Sequence, residues 1–325
     1  MIALQDALSR VAVDEPRHFR NLTVFPLLGP DPARPEPDYL LADEAIAQGL
    51  ARVTELEGGG SVPELRFENH APLPVLLVDG EELIGAKQNR VLNLSILAPA
   101  GCATVIPVSC VEAGRWHMDA AEFRPAPHFM YSQGRAARVR DVTASIRTGR
   151  GRRSDQAAVW DGIAAKAARM DADSPTQAMS AIYERHAASV EEYVRALRVR
   201  GDCSGLLFAI GGRPGGMDLF DHPATMASFF PKLLRSFALD ALDAPPGAEE
   251  PAARADAAAF LACAGRAAAS SEPAAGLGKD VRIHGAAVSG AALWEGGRYV
   301  HVCAFATRDN GTGARQTARM ARPSV

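Results

Sequence analysis

Between residues 62 and 112 the chain is cut into five short β-prone runs, and no other feature constrains the fold as strongly. The runs are VPELRFENH (62–70), LPVLLVDG (73–80), ELIGA (82–86), RVLNLSILA (90–98) and ATVIPVSCVE (103–112), each bounded by Gly, Pro, Asn or Asp. Short apolar runs closed by turn residues read as strands. Five of them in about fifty residues predict a sandwich or barrel rather than a parallel βαβ sheet. An antiparallel β-rich unit is therefore expected over 15–125, and residues 20–116 are expected to fold as one piece.

Around this unit the period is helical. Residues 2–12 are loosely helical, NLTVFPLLG (21–29) is a strand, and YLLADEAIAQGL (39–50) is a short helix. The stretch 126–153 holds seven arginines between Arg135 and Arg153 against one acid, Asp141, and reads as a solvated loop. Helices are expected at 154–170, with Ser154 or Asp155 as cap, and at 174–198, with Ser174 as cap and Pro175 in the first turn. Further helices are expected at 224–243, where Pro231 should start or kink the helix, and at 254–268. CSGLLFAIGG (203–212) is a strand, and 281–306 is a hairpin turning at Glu295-Gly296-Gly297. These two are expected to pair. The part 154–307 then reads as helix-rich with a small antiparallel sheet, and 308–325 as a frayed tail. The fold class is α+β.

Hydrophobic residues at 47% and charged residues at 22% exclude wholesale disorder, and a net charge of -3 argues against nucleic acid or an acidic membrane surface as partner. The N-terminal stretch lacks a basic region and a continuous apolar run, and no uncharged apolar stretch is long enough to span a membrane. A cytoplasmic location with reduced thiols is expected for Cys102, Cys110, Cys203, Cys263 and Cys303, which form no CxxC pair. The eight histidines show no HxH or HExxH spacing, so no metal site is proposed. Cofactor and oligomeric state are left open.

The polar stretch DGEELIGAKQNRVLN (79–93) sits between two apolar runs that a two-residue turn would join. Lys87 and Arg90 suit an anionic group, with Gln88 and Asn89 beside them as ligand contacts. Glu81 and Glu82 suit proton transfer, a ribose hydroxyl or a hard cation. In SCVEAGRW (109–116), Glu112 is a third carboxylate for acid–base work, and Arg115 and Trp116 are further ligand contacts. Arg90 opens one run and Glu112 closes the next, so antiparallel pairing should gather Glu82, Lys87, Arg90, Glu112 and Arg115. The plainer reading is a solvated hairpin tip whose charges pair with each other. Cys110 reads as a buried packing residue, with a nucleophile beside Arg115 as the alternative. GGRPGGMD (211–218) matches neither glycine-rich phosphate motif, although Arg213 and Asp218 are placed to line a turn.

The phrases NLTVFPL, VPELRFEN, VLLVDGEELIGAKQNRVLN, PVSCVEAGRW, DLFDHP, FFPKLLRSFALDAL and SGAALWEGGRYVHVCAF resemble the ARG and rhodanese-phosphatase-superfamily-associated protein domain, from about residue 18 to 306. The resemblance implies an association with ADP-ribosylglycohydrolases and with the rhodanese-phosphatase superfamily, and so with nucleotide or ADP-ribose metabolism. A second glycine would be expected at Ala86.

Two readings follow. In one, the chain binds or processes a small phosphorylated, nucleotide-like ligand of the ADP-ribose or NAD kind. In the other, it is a non-catalytic interaction or structural module, with buried salt bridges among Glu82, Lys87, Glu112 and Arg115.

Overall fold

The computed structural model describes residues 3–307 except 31, 33, 57–62, 116–119 and 246–248. Trp116 and the expected tail lie outside the described residues. The chain opens with α1 (Leu4–Leu8), β1 (Ala12–Val13), β2 (Arg17–Phe19) and β3 (Leu22–Leu28). In place of one helix over 39–50 come β4 (Leu40–Leu41) and α2 (Ala42–Ala47). The turn-punctuated region gives β5 (Ala51–Glu55), β6 (Glu64–Asn69), β7 (Val75–Leu77), β8 (Glu81–Gly85), β9 (Arg90–Leu92), β10 (Ile96–Ala98) and β11 (Ala103–Cys110), followed by β12 (Phe123–Phe129).

Six of these strands form an antiparallel half-barrel in the order β12-β8-β9-β11-β6-β5, whose outer strands come back into contact. The alternation along β6 and β11 turns Leu65, Phe67, Ile106 and Val108 into its core, where all are buried. β10, β7 and β4 make a separate three-stranded sheet in which β4 runs parallel to β7. The single antiparallel piece expected over 20–116 is thus divided, and β3 leaves it altogether.

The arginine-rich stretch is not a solvated loop. Most of it is α3 (Ser132–Arg147), in which arginines and alanines favour the helix and Arg135, Arg138, Val139 and Val142 turn inward. α4 (Gln156–Arg169) starts at Asp155, whose carboxylate accepts from the Ala158 N–H at 3.1 Å. The expected helix over 174–198 begins late and breaks. Gln177 takes a left-handed φ of 53°, so α5 (Ser180–Arg185) starts beyond it, and α6 (Ala187–Ala196) follows after His186.

β13 (Gly205–Ile210), β14 (Arg213–Phe220), α7 (Pro223–Leu242), α8 (Arg254–Arg266), β15 (Ala268–Pro273), β16 (Lys279–His284), β17 (Val288–Glu295) and β18 (Arg298–Ala306) complete the chain. α7 continues through Pro231 rather than starting there. Proline cannot donate to the Ala227 carbonyl, and the burial of Phe229, Leu233, Leu234 and Phe237 around it offsets that loss. The back half does not carry a small sheet. Its strands make a nine-stranded antiparallel sheet ordered β1-β3-β13-β14-β18-β17-β16-β15, with β2 also on β3. β13 reaches the β17–β18 hairpin only through β14, so the expected direct pairing is corrected to one with β3 and β14. One face packs on α3 and α7 and the other on α8, with α1 behind it. No helix among the described residues is long and apolar enough to cross a membrane.

Candidate functional site

The turn between β8 and β9 is buried and stitched shut from outside. Gly85 (φ 137°) and Ala86 (φ 43°) both take positive φ, so the left-handed step expected of a glycine is made here by an alanine. Arg115 holds the bend by donating from Nη1 to the Ala86 carbonyl at 2.7 Å and from Nη2 to the Asn89 Oδ1 at 3.0 Å. The Asn89 N–H donates to Glu112 Oε2 at 3.1 Å, and the Gln88 amide donates to the Glu112 carbonyl at 2.9 Å. A 2.7 Å ion pair between Arg115 and Glu112 closes the ring. This is no solvated tip. Gln88, Asn89, Glu112 and Arg115 spend most of these hydrogen bonds on one another and on backbone, so their first task is to build the turn. Burial alone would raise the Glu112 carboxyl, but Arg115, Thr176 and the Asn89 N–H outweigh it and hold it below the usual carboxylate range. A carboxylate held ionised in this way is a poor proton shuttle near neutrality. Lys87 lies half-buried on the same turn and is engaged with a partner of its own.

Arg90 opens β9 directly opposite Cys110, which closes β11. Opposed residues of an antiparallel pair share a face, so both side chains enter the end of the half-barrel. Arg90 Nη1 donates to the Gln88 carbonyl and to Gln88 Oε1, each at 3.1 Å, and the Cys110 thiol donates to Gln88 Oε1 at 3.2 Å. Gln156 of α4 brackets the Cys110 backbone with two 2.8 Å hydrogen bonds. Burial pushes the Cys110 thiol up, against the Glu112 backbone N–H, the Arg90 guanidinium and the Trp160 indole, which favour the anion. Glu55, at the end of β5, comes within 3.8 Å of Arg90 Nη2. Both Glu55 carboxylate oxygens and Arg90 Nε are buried without a hydrogen-bond partner among the described residues.

Glu81 and Glu82 do not join this cluster. Glu81 accepts from the Val78 N–H at 2.8 Å and from Lys232 Nζ of α7 at 3.3 Å. Burial pushes its carboxyl up to about 7, with Lys232 opposing and Asp43 assisting. Glu82 meets His128 Nε2 at 2.7 Å, and the imidazole stacks on Tyr183 at 3.8 Å between ring centroids. The expectation that Glu82 lies with Lys87, Arg90, Glu112 and Arg115 is corrected, because successive strand positions face opposite ways and Glu82 is drawn to His128.

Sequence reasoning also missed a buried ionic centre. Arg135 donates to both oxygens of Asp218, at 3.0 and 2.7 Å, and approaches Asp79 at 3.4 Å, while Arg138 reaches Asp79 at 2.5 Å. His301 lies 3.1 Å from Asp218 and 2.7 Å from the Ser95 hydroxyl. The signal was available as lone polar residues inside apolar strands, Asp218 in GMDLF and His301 in YVHVC. The Ser-His-Asp sequence of contacts resembles a nucleophile relay, but Arg135 occupies the carboxylate and the Ser95 hydroxyl already accepts from the Asp79 N–H at 3.0 Å. These groups tie α3, β14 and β18 to the loop before β8. Glu55 and Trp160, missed as well, carry no local signal beyond a carboxylate at a strand end and an aromatic in a helix.

The sequence model of the ARG and Rhodanese-Phosphatase-superfamily-associated Protein domain matches residues 10–305. The chain belongs to this family. Comparison with curated proteins and with solved structures finds no match. The family match spans the half-barrel and the nine-stranded sheet up to but not including the last residue of β18, so both the barrel-end cluster and the ionic centre lie within it.

Proposed function

We propose that this chain binds a phosphorylated, nucleotide-like ligand of the ADP-ribose or NAD kind at the end of the half-barrel, where Glu55, Arg90, Cys110 and Trp160 meet. One observation carries the reading: a carboxylate whose two oxygens are buried and make no hydrogen bond among the described residues stands 3.8 Å from a buried guanidinium whose Nε makes none either. Leaving such groups unsatisfied costs about 1–3 kcal/mol each, and more when they are charged. A ligand that supplies two hydroxyls to Glu55 and an acceptor to Arg90 removes that cost, and the vicinal hydroxyls of a ribose are of this kind. The Trp160 indole adds a face for stacking. The family's association with ADP-ribosylglycohydrolases points to the same ligand class.

Acid–base chemistry at this end falls to Glu55, since Glu112 is held as an ion by Arg115 and the raised Cys110 thiol is a weak nucleophile. The interlocked hydrogen bonds of Gln88, Asn89, Glu112 and Arg115 favour a structural role for those four, which is the second reading. A thermal-shift screen with ADP-ribose, NAD, nucleotides and phosphosugars separates the two. A ribose-bearing compound at a hundredfold its Kd stabilises by about 2.7 kcal/mol, and Glu55→Gln abolishes the shift. No shift with any compound leaves the interaction-module reading standing.

A further inference from the structure

The opposite face of β11 lines a separate cleft of about 740 Å³ that none of the groups above enters. Cys110, Val108 and Ile106 point into the half-barrel, so Val105 and Pro107 point out. They form an apolar floor with Pro63, Pro99 and Leu277. Val105 is 48% exposed, one of two large apolar side chains so placed among the described residues. Over this floor runs the segment that follows α3, bringing Arg150, Arg152 and Arg153 to the cleft against a single acid among the described lining residues, Glu64.

The arginines are held in place and short of counter-ions. Asn93 donates to the Arg152 carbonyl at 3.1 Å, the Ser109 and Ser154 hydroxyls meet at 2.5 Å, and Arg152 also donates to the Pro273 carbonyl. Arg153 makes no ion pair among the described residues, and Arg150 donates only to the Thr148 hydroxyl at 3.0 Å. Arg152 lies 3.5 Å from Asp280, a carboxylate that Arg282 already binds at 2.7 Å. Arg282 in turn keeps Nε and Nη1 buried without partners. The positive excess at this face is therefore local and anchored, although the chain as a whole is acidic.

We propose that this cleft is a second binding site, for a nucleoside phosphate. Guanidinium groups grip phosphate oxygens in pairs, and an inorganic anion would leave the apolar floor unused. A flat base laid on Val105 and Pro107 covers it, and the volume falls in the range of small-molecule sites. The proposal stands whether or not the barrel-end reading does.

The chain carries its own reporter. Cys102 is exposed and lines the cleft, whereas Cys110, Cys203 and Cys303 are buried. The rate of Cys102 alkylation is measured with ADP, adenosine, pyrophosphate or a short RNA oligonucleotide. ADP is expected to protect Cys102 in a salt-sensitive way, and more strongly than adenosine or pyrophosphate. An Arg150→Ala/Arg153→Ala double variant, altered only at exposed side chains, weakens protection roughly tenfold or more. Glu55→Gln leaves it unchanged, which separates this site from the barrel end. Equal protection in the double variant overturns the proposal. So does protection by the oligonucleotide with none by ADP, which would make the face a nucleic-acid surface, and so does the absence of any protection.

Discussion

Arg135 grips Asp218 through two hydrogen bonds, 3.0 Å from Nη1 and 2.7 Å from Nη2, with neither side chain exposed to water. The pair fastens α3 to β14, and Asp79 brings the loop before β8 onto the same guanidinium. Removing one partner of a buried pair leaves the other charge uncompensated, which costs about 3–5 kcal/mol. Asp218→Ala is therefore expected to lower the urea midpoint steeply. An apolar replacement of both residues together, Arg135→Met with Asp218→Leu, recovers much of the loss. A small effect of Asp218→Ala alone would show that the centre is not what joins these elements.

Glu81 gives the fold a pH dependence. Burial raises its carboxyl from an ordinary 4.5 to about 7, despite Lys232. Below about 4.5 the folded and unfolded chains both hold the proton, and the benefit of the raised value is complete. As pH climbs through about 7 the unfolded chain has already released its proton, and that share of stability is lost. Melting temperatures taken across this window should fall with pH in the wild type and fall less in Glu81→Gln. Parallel slopes would place the pH sensitivity elsewhere.

What was legible in the sequence is what depends on neighbours in the chain. The strand runs of 62–112, the cap at Asp155 and the turn at Gly296-Gly297 are local, and each is written in residue type and spacing. The approach of Arg90 to the end of the run 103–112 was also within reach, because Arg90 opens one run and Glu112 closes the next; the residue directly opposite Arg90 is Cys110. Pairing between distant strands was not. Nothing in NLTVFPLLG says that β3 will bond on one side to its neighbours β1 and β2 and on the other to β13 some 180 residues later. The arginines of α3 misled for a similar reason. An arginine reads as solvated unless its carboxylate is known, and Asp218 lies 83 residues from Arg135. The polar stretch 79–93 drew notice correctly as unusual, but its residues divide among five places: the ionic centre for Asp79, the Glu81–Lys232 contact, the Glu82–His128 contact, the turn, and the barrel end for Arg90.

Gly80 tests how tightly the ionic centre is packed. Its φ of 90° disfavours any side chain, and a Cβ there would lie 2.6 Å from Cδ and Nε of Arg135. Arg135 cannot swing aside, because Asp218 and Asp79 hold it. Backbone strain of about 1–2 kcal/mol then adds to overpacking of about 1–3 kcal/mol. Gly80→Ala is expected to be among the more damaging single-methyl changes in the chain, read as a shift of the denaturant midpoint. Tolerance of the alanine would mean that the Arg135 side chain relaxes in solution.

The cysteines test whether the barrel end is closed. All five are free, but their surroundings differ: Cys102 is exposed, Cys263 half-buried, and Cys110, Cys203 and Cys303 buried. Burial raises all three buried thiols, pushing Cys203 to about 11 and Cys303 further still. The thiolate is the reactive form, so alkylation of the native protein near neutral pH should mark Cys102 first, Cys263 more slowly and the remaining three only on unfolding. Cys110 is the discriminating case, because Arg90 and Trp160 already act on it in the direction of the anion. Opening of the barrel end to solvent would relieve the desolvation and leave those two influences in charge. Rapid modification of Cys110, read by mass spectrometry of peptides after a brief pulse, would then show an activated thiol beside Arg90 and transfer the chemistry of this end from Glu55 to Cys110. Slow modification keeps Cys110 as a packed thiol and leaves the Glu55 carboxylate as the group on which any reaction there depends.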